Sequence, residues 1–182
     1  KNGMVDFIGS IPNTLDHYLK NNESIQQGRI VDNIKWIKNT LHIDSIFIND
    51  TEEAISTIRN GQTALDITIN GHAEEDMSYD IMMTLKSKEG IPFATYAIGH
   101  YYGEIQYLKK GDFSLKRTIK LPTILSKGII KVDLYLHHPM VEYMMKAPDC
   151  CSLESEGFQK GFGRALSQEP NGFMGLSNYQ NK

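Results

Sequence analysis

Tyrosines and histidines crowd one stretch of the chain: Tyr96, His100, Tyr101, Tyr102, Tyr107, Tyr135, His137 and Tyr143. Sugars present flat apolar C–H faces fringed by hydroxyls, and proteins hold them with aromatic rings set beside planar polar groups. A cluster of this composition suits carbohydrate binding. The segment GIIKVDLYLHHP (128–139) alternates apolar and polar residues. On a strand, Ile130, Val132, Leu134 and Leu136 then share one face, and Lys131, Asp133, Tyr135 and His137 share the other. The candidate sugar contacts are Tyr96, His100, Tyr102, Asp133, Tyr135 and His137. The same residues also fit a plain solvated face, because tyrosine favours strands and its hydroxyl is satisfied at a surface.

Other chemistries find less support. No G-x-x-x-x-G-K-[ST] is present, and GFQKGFG (157–163) has its glycines and lysine in the wrong order for a phosphate loop, so it reads as a flexible loop. His137 and His138 are adjacent, which on a strand sends them to opposite faces, and His17, His42, His72 and His100 are scattered. Glu74, Glu75 and Asp76 lack the ordering of a calcium loop. No metal and no cofactor are expected. Asp66 and Asp133 can face outward, but nothing marks them as a glycosidase pair, and no G-x-S-x-G elbow occurs. The chain is expected not to be an enzyme. Lys109, Lys110, Lys116, Arg117 and Lys120 suit either an anionic ligand or a charged sheet edge that discourages aggregation.

The elements that must position these residues are strands. The 182 residues suit one domain with a short appended segment, and a net charge of −3 supplies no field for nucleic acid. The two cysteines are neighbours, Cys150 and Cys151, and are expected as free thiols of a reducing compartment. Residues 3–9 read as a strand, and GSIPNTLDHYLKNNES (9–24) reads as a short amphipathic helix with Leu15, Tyr18 and Leu19 on one face. A polar linker over 25–40 follows, in which Trp36 is expected to pack over one end of the domain. From residue 41 the apolar period is two. Asn60-Gly61 signals a hairpin. Strands are expected around 41–50, 54–71 (two, joined at Asn60-Gly61), 78–100, 112–121 and 128–138, with a loop-like stretch at 146–170 that holds a short strand near EGFQ (156–159), and a last strand in NGFMGLSNYQ. The expected fold is all-β, an antiparallel sandwich of eight to ten strands, jelly-roll or immunoglobulin-like, over 41–182.

The order of these pieces resembles a known family. NGMVDFIGSIPNTLDHYLKN, with its Tyr18-Leu19 pair, resembles the tail of the ATPase subunit of ABC polysaccharide exporters. The rest resembles the C-terminal domain attached to such ATPases in O-antigen exporters, the Wzt family. The resemblance runs through NGQTALDITI, YDIMMTLKSKEGIPFATYAI, KGIIKVDLYL and NGFMGLSNY. Ile129 or Ile130 stands where an aromatic is usual. It implies that residues 1–24 end an upstream ATPase domain and that the remainder is a non-catalytic module recognising an export-ready glycan. It also implies a homodimer with an exchanged terminal strand, a membrane permease reached through the ATPase, and a place at the cytoplasmic face of the membrane. A glycan-processing enzyme on a jelly roll and a dimerisation domain that touches no sugar are the alternatives.

Overall fold

The computed structural model describes residues 9–10 and 28–176. Nearly all of the strand and helix expected over 3–24, and 177–180 of the last expected strand, lie outside them; the described start of that last strand, 171–176, is no strand and makes only an isolated bridge from Met174 to Leu125. Among the described residues, ten strands form two sheets that pack face to face. The larger sheet holds β1 (Trp36–Ile37), β10 (Glu142–Ser155), β9 (Gly128–His138), β5 (Met77–Lys86) and β6 (Pro92–Ala97), in that order. Its edges are completed by short pieces, β3 (Ile55–Ile58) beside β10 and β7 (Gln106–Leu108) beside β5. The smaller sheet runs β2 (Leu41–Ile48), β4 (Ala64–Ala73), β8 (Gly111–Lys120). All pairings are antiparallel except β3 with β10. The all-β sandwich is the expected one.

Alternation builds the core. Leu65, Ile67 and Ile69 of β4 are buried, as are Tyr79, Ile81, Met83 and Leu85 of β5 and Ile130, Val132, Leu134 and Leu136 of β9. Burying a large aliphatic side chain is worth about 1.5–3 kcal/mol, so three strands with one apolar face each supply most of the drive for stacking the sheets. Strand β8 is an edge, and its Lys116, Arg117 and Lys120 mark it as the charged edge anticipated from sequence.

Further expectations change. Residues 28–40 are packed and not a linker: Ile30 is fully buried, Asn33 Nδ2 donates to the Cys150 carbonyl at 3.1 Å, and β1 pairs with β10. Asn60-Gly61 makes a tight turn, with Gln62 N–H donating to the Arg59 carbonyl at 3.0 Å, but not a hairpin. The strands it joins, β3 and β4, belong to different sheets, because Ile58 and Leu65 both point into the core from opposite layers. The stretch 146–155 is strand and not loop. The strand expected to run through His100 stops at Ala97, and a short helix, α1 (Ile98–Tyr102), follows.

Gly71 tightens the smaller sheet. A Cβ there would sit 2.1 Å from the His42 carbonyl oxygen and 2.8 Å from Phe113 Cζ. The first neighbour is backbone and cannot move without disturbing β2. Gly71→Ala is therefore expected to cost about 1–3 kcal/mol of stability, read as a lowered urea midpoint with an unchanged slope.

Candidate carbohydrate-binding face

The side of the larger sheet that faces away from the core carries most of the residues named from sequence. Cross-strand neighbours share a face, so the ladder itself lists the rows. Trp36, Lys146, Tyr135, Met82 and Ala97 form one row across β1, β10, β9, β5 and β6. Tyr143, His137 and Asp80 form the next. Asp133, Thr84 and Thr95 form a third.

The rings touch. Tyr135 and Tyr143 have centroids 5.6 Å apart at a tilt of 58°. Tyr143 and His137 stack at 5.9 Å, and His137 and His100 stack at 4.9 Å. Lys146 Nζ lies 4.4 Å above the Tyr143 ring and 5.8 Å from the Trp36 ring, close enough for cation–π attraction to both. Trp36 and Tyr143 are 46% and 40% exposed, so an aromatic strip faces solvent with a cation between its rings.

Charge is buried beneath this strip. Lys86 Nζ is 2.6 Å from Asp133 and 2.7 Å from Asp149. Asp133 also accepts the Asp149 backbone N–H at 2.7 Å and lies 3.3 Å from the Tyr135 hydroxyl, which donates to it. Burial pulls the Lys86 pKa down, but the two carboxylates outweigh it and hold the ammonium above its ordinary value. Burial, then the Asp133 carboxylate, pushes the Tyr135 phenol up to about 12. At the other end, Asp80 accepts the Gly99 N–H at 2.7 Å. Gly99 is required there, because a Cβ would come within 2.8 Å of Asp80 Oδ2 and 2.7 Å of Pro139 Cγ. That close approach seats α1, and with it His100, against β5 and the β9–β10 turn. Burial lowers the His137 pKa, Asp80 opposes the shift, and His100 and His138 add to it.

The six residues named from sequence do not all come together. His100, Tyr135 and His137 come together, and Tyr102 lies exposed at the end of α1. Asp133 and His137 are on the outer face as alternation requires, yet both are buried, at 8% and 3% exposure. Asp133 is a partner of Lys86 and not an open sugar contact. Tyr96 is on the wrong side: it pairs with Met83 and packs on the core, where burial raises its pKa. It lines a cleft of about 700 Å³ between the edges of β6 and β8, with Leu85, Ile119 and Leu121. Trp36, Lys146 and Asp80 were not anticipated. Trp36 does not cap one end of the sandwich; it opens onto the strip from edge strand β1.

The fold has known counterparts. A crystal structure of the C-terminal domain of Wzt superposes with a TM-score of 0.56 and 14% identity, covering 81% of this chain and 86% of that one. A Niemann-Pick type C2 protein from the Japanese carpenter ant superposes with a TM-score of 0.50 and 11% identity, covering 72% of this chain and 100% of that one. No family model matches the sequence, and no curated protein matches it. At these identities the likeness is one of fold: the chain has the β-sandwich architecture of the Wzt C-terminal domain. Among the described residues, no helix is long and apolar enough to cross a membrane.

The elevated Tyr135 pKa has a consequence at high pH. The unfolded chain ionises this phenol near its ordinary value of about 10, while the folded chain holds it neutral. Stability contributed by the neutral phenol is complete below pH 10 and is lost between pH 10 and about 12. Urea unfolding in that window is expected to show a shallower decline for Tyr135→Phe than for the parent protein.

Proposed function

We propose that the protein is a non-catalytic polysaccharide-binding module of an ABC exporter, and that it receives an O-antigen-type glycan on the outer face of its larger sheet. The observation that carries this reading is the strip of Trp36, Tyr143 and Tyr135 with Lys146 between the rings. Rings offer C–H faces of a sugar a flat apolar seat, and the ammonium adds a donor for hydroxyls or an anionic substituent. The fold shared with the C-terminal domain of Wzt supports the same reading, as does the order of sequence pieces that resembles exporter ATPases with such a domain.

Binding without cutting is favoured by the state of the carboxylates. Asp133 and Asp80 are the buried acids of this face among the described residues. Asp133 is occupied by Lys86 and the Asp149 N–H, and Asp80 by the Gly99 N–H. Neither is placed as a free acid or base over an open cleft. The remaining elements of the proposal are an ATPase domain upstream, a permease reached through it, a position at the cytoplasmic face of the membrane, and a homodimer. Among the described residues no strand pairs with the outer edges of β6 and β8, and these edges, with the apolar cleft between them, suit a terminal strand from a second copy.

Calorimetric titration with the polysaccharide of the source cell, and with an unrelated polysaccharide as control, tests the reading. Saturable binding of the cognate glycan alone is expected, with a dissociation constant in the range of about micromolar to millimolar. Trp36→Ala and Tyr143→Ala should each weaken it at least about fivefold and should still fold, with a stability loss of about 1 kcal/mol, since the two side chains are 46% and 40% exposed. Shorter glycan chains after incubation would favour an enzyme instead. Removal of residues 172–182 is expected to turn the dimer into a monomer in sedimentation equilibrium.

A further inference from the structure

We propose that Asp80, His100 and His137 bind a divalent transition-metal ion of the zinc class. One ligand atom from each of the three side chains lies within 4.8 Å of the other two. His137 Nε2 is 3.7 Å from Asp80 Oδ2, both residues are nearly inaccessible at 3% and 2% exposure, and His137 Nε2 has no hydrogen-bond partner. That gap is too long for a hydrogen bond. It is close to the ligand-to-ligand spacing of about 3.3–3.5 Å that tetrahedral geometry gives with metal–ligand bonds of about 2.0–2.1 Å. A buried ring nitrogen without a proton donor or acceptor opposite it is unusual, and an ion shared with the carboxylate accounts for it.

The surroundings fit. The Gly99 N–H holds the Asp80 carboxylate in place, as partners behind metal ligands do. His100 is exposed on α1 and stacks on His137 with the ring planes 18° apart, and because an ion lies in the plane of each imidazole that binds it, His100 has to turn out of this stack to aim a ring nitrogen at the ion. A pocket of about 240 Å³ lined by His100 and His137 with His138, Glu142 and Tyr143, though not by Asp80, leaves room on the histidine side for a water or a ligand oxygen at a fourth position. Two imidazoles with one carboxylate favour a transition metal over calcium or magnesium, which take oxygen donors. The other histidine–carboxylate contacts described, His42–Asp44 and His72–Asp112, lie exposed and side by side, since His42 and His72 are cross-strand partners, and they are the surface histidines whose joint removal serves as the control. The ion site does not depend on the carbohydrate reading.

Zinc alone is the probe, titrated into the 182-residue protein against a chromophoric chelator, with cobalt(II) absorption as a second readout. One zinc per chain is expected, with a dissociation constant of about micromolar or tighter, and a tetrahedral cobalt spectrum without a thiolate charge-transfer band. His100→Ala is exposed and outside the core, so it should fold, and it should weaken zinc at least tenfold. Substituting both His42→Ala and His72→Ala should leave zinc affinity unchanged. Absence of stoichiometric binding, unchanged binding in His100→Ala, loss of binding in the double variant, or a thiolate band would each overturn the site.

Discussion

Strand β10 gains one residue on β9 between Tyr143 and Met145, and two more between Ala147 and Cys151. The first insertion decides the outer face. Tyr143 and Lys146 are three positions apart, so a regular strand would send them to opposite sides. With Met144 as the extra residue, Tyr143 stays beside His137, Lys146 beside Tyr135, and Met144 and Met145 are both buried. The second insertion turns Asp149 over Asp133, with a positive φ of 49° at Asp149, and delivers its carboxylate to Lys86. The aromatic strip and the charges under it exist because the ladder is broken in these two places.

This arrangement explains how an outward face comes to bury an aspartate and a histidine. Among the described residues, no second sheet covers β9 on that side. Lys86, Asp149 and the Tyr135 hydroxyl close over Asp133, and α1 with Tyr143 closes over His137. Breaking one partner out of a buried ion group leaves an uncompensated charge, at a cost of about 3–5 kcal/mol, so the cluster resists change even though it is close to solvent. The rings above it are then held by a stiff floor. A stiff, pre-set ring surface loses less entropy when a sugar lands than a mobile one would.

The sequence carried the central strands plainly. In β4, β5 and β9 the period of two is unbroken, and the residues it assigns to the core are the buried ones. It failed where geometry departs from that period. The Asn60-Gly61 turn looks like any hairpin turn, and only the facing burial of Ile58 and Leu65 sends its strands to different sheets. Pro148 and the two insertions hide β10 from a pattern search. Trp36 sits in a two-residue edge strand too short to show a period. His100 was separated from His137 by sequence distance alone, and α1 brings it back because Gly99 lets the chain pass close to Asp80. Tyr96 is the opposite case: its aromatic type suggested a ligand contact, and its register against Met83 turns it into the core.

The cleft between β6 and β8 and the strip across β1, β10 and β9 are two places among the described residues where a sugar can be received, and they lie on opposite faces of the larger sheet. A crystal structure of the protein with an oligosaccharide cut from the polysaccharide of its own cell decides between them. The account predicts a sugar ring seated on Tyr143 and Trp36 with a hydroxyl toward Lys146. A sugar lodged between the sheets beside Tyr96, with the outer strip bare, would contradict it.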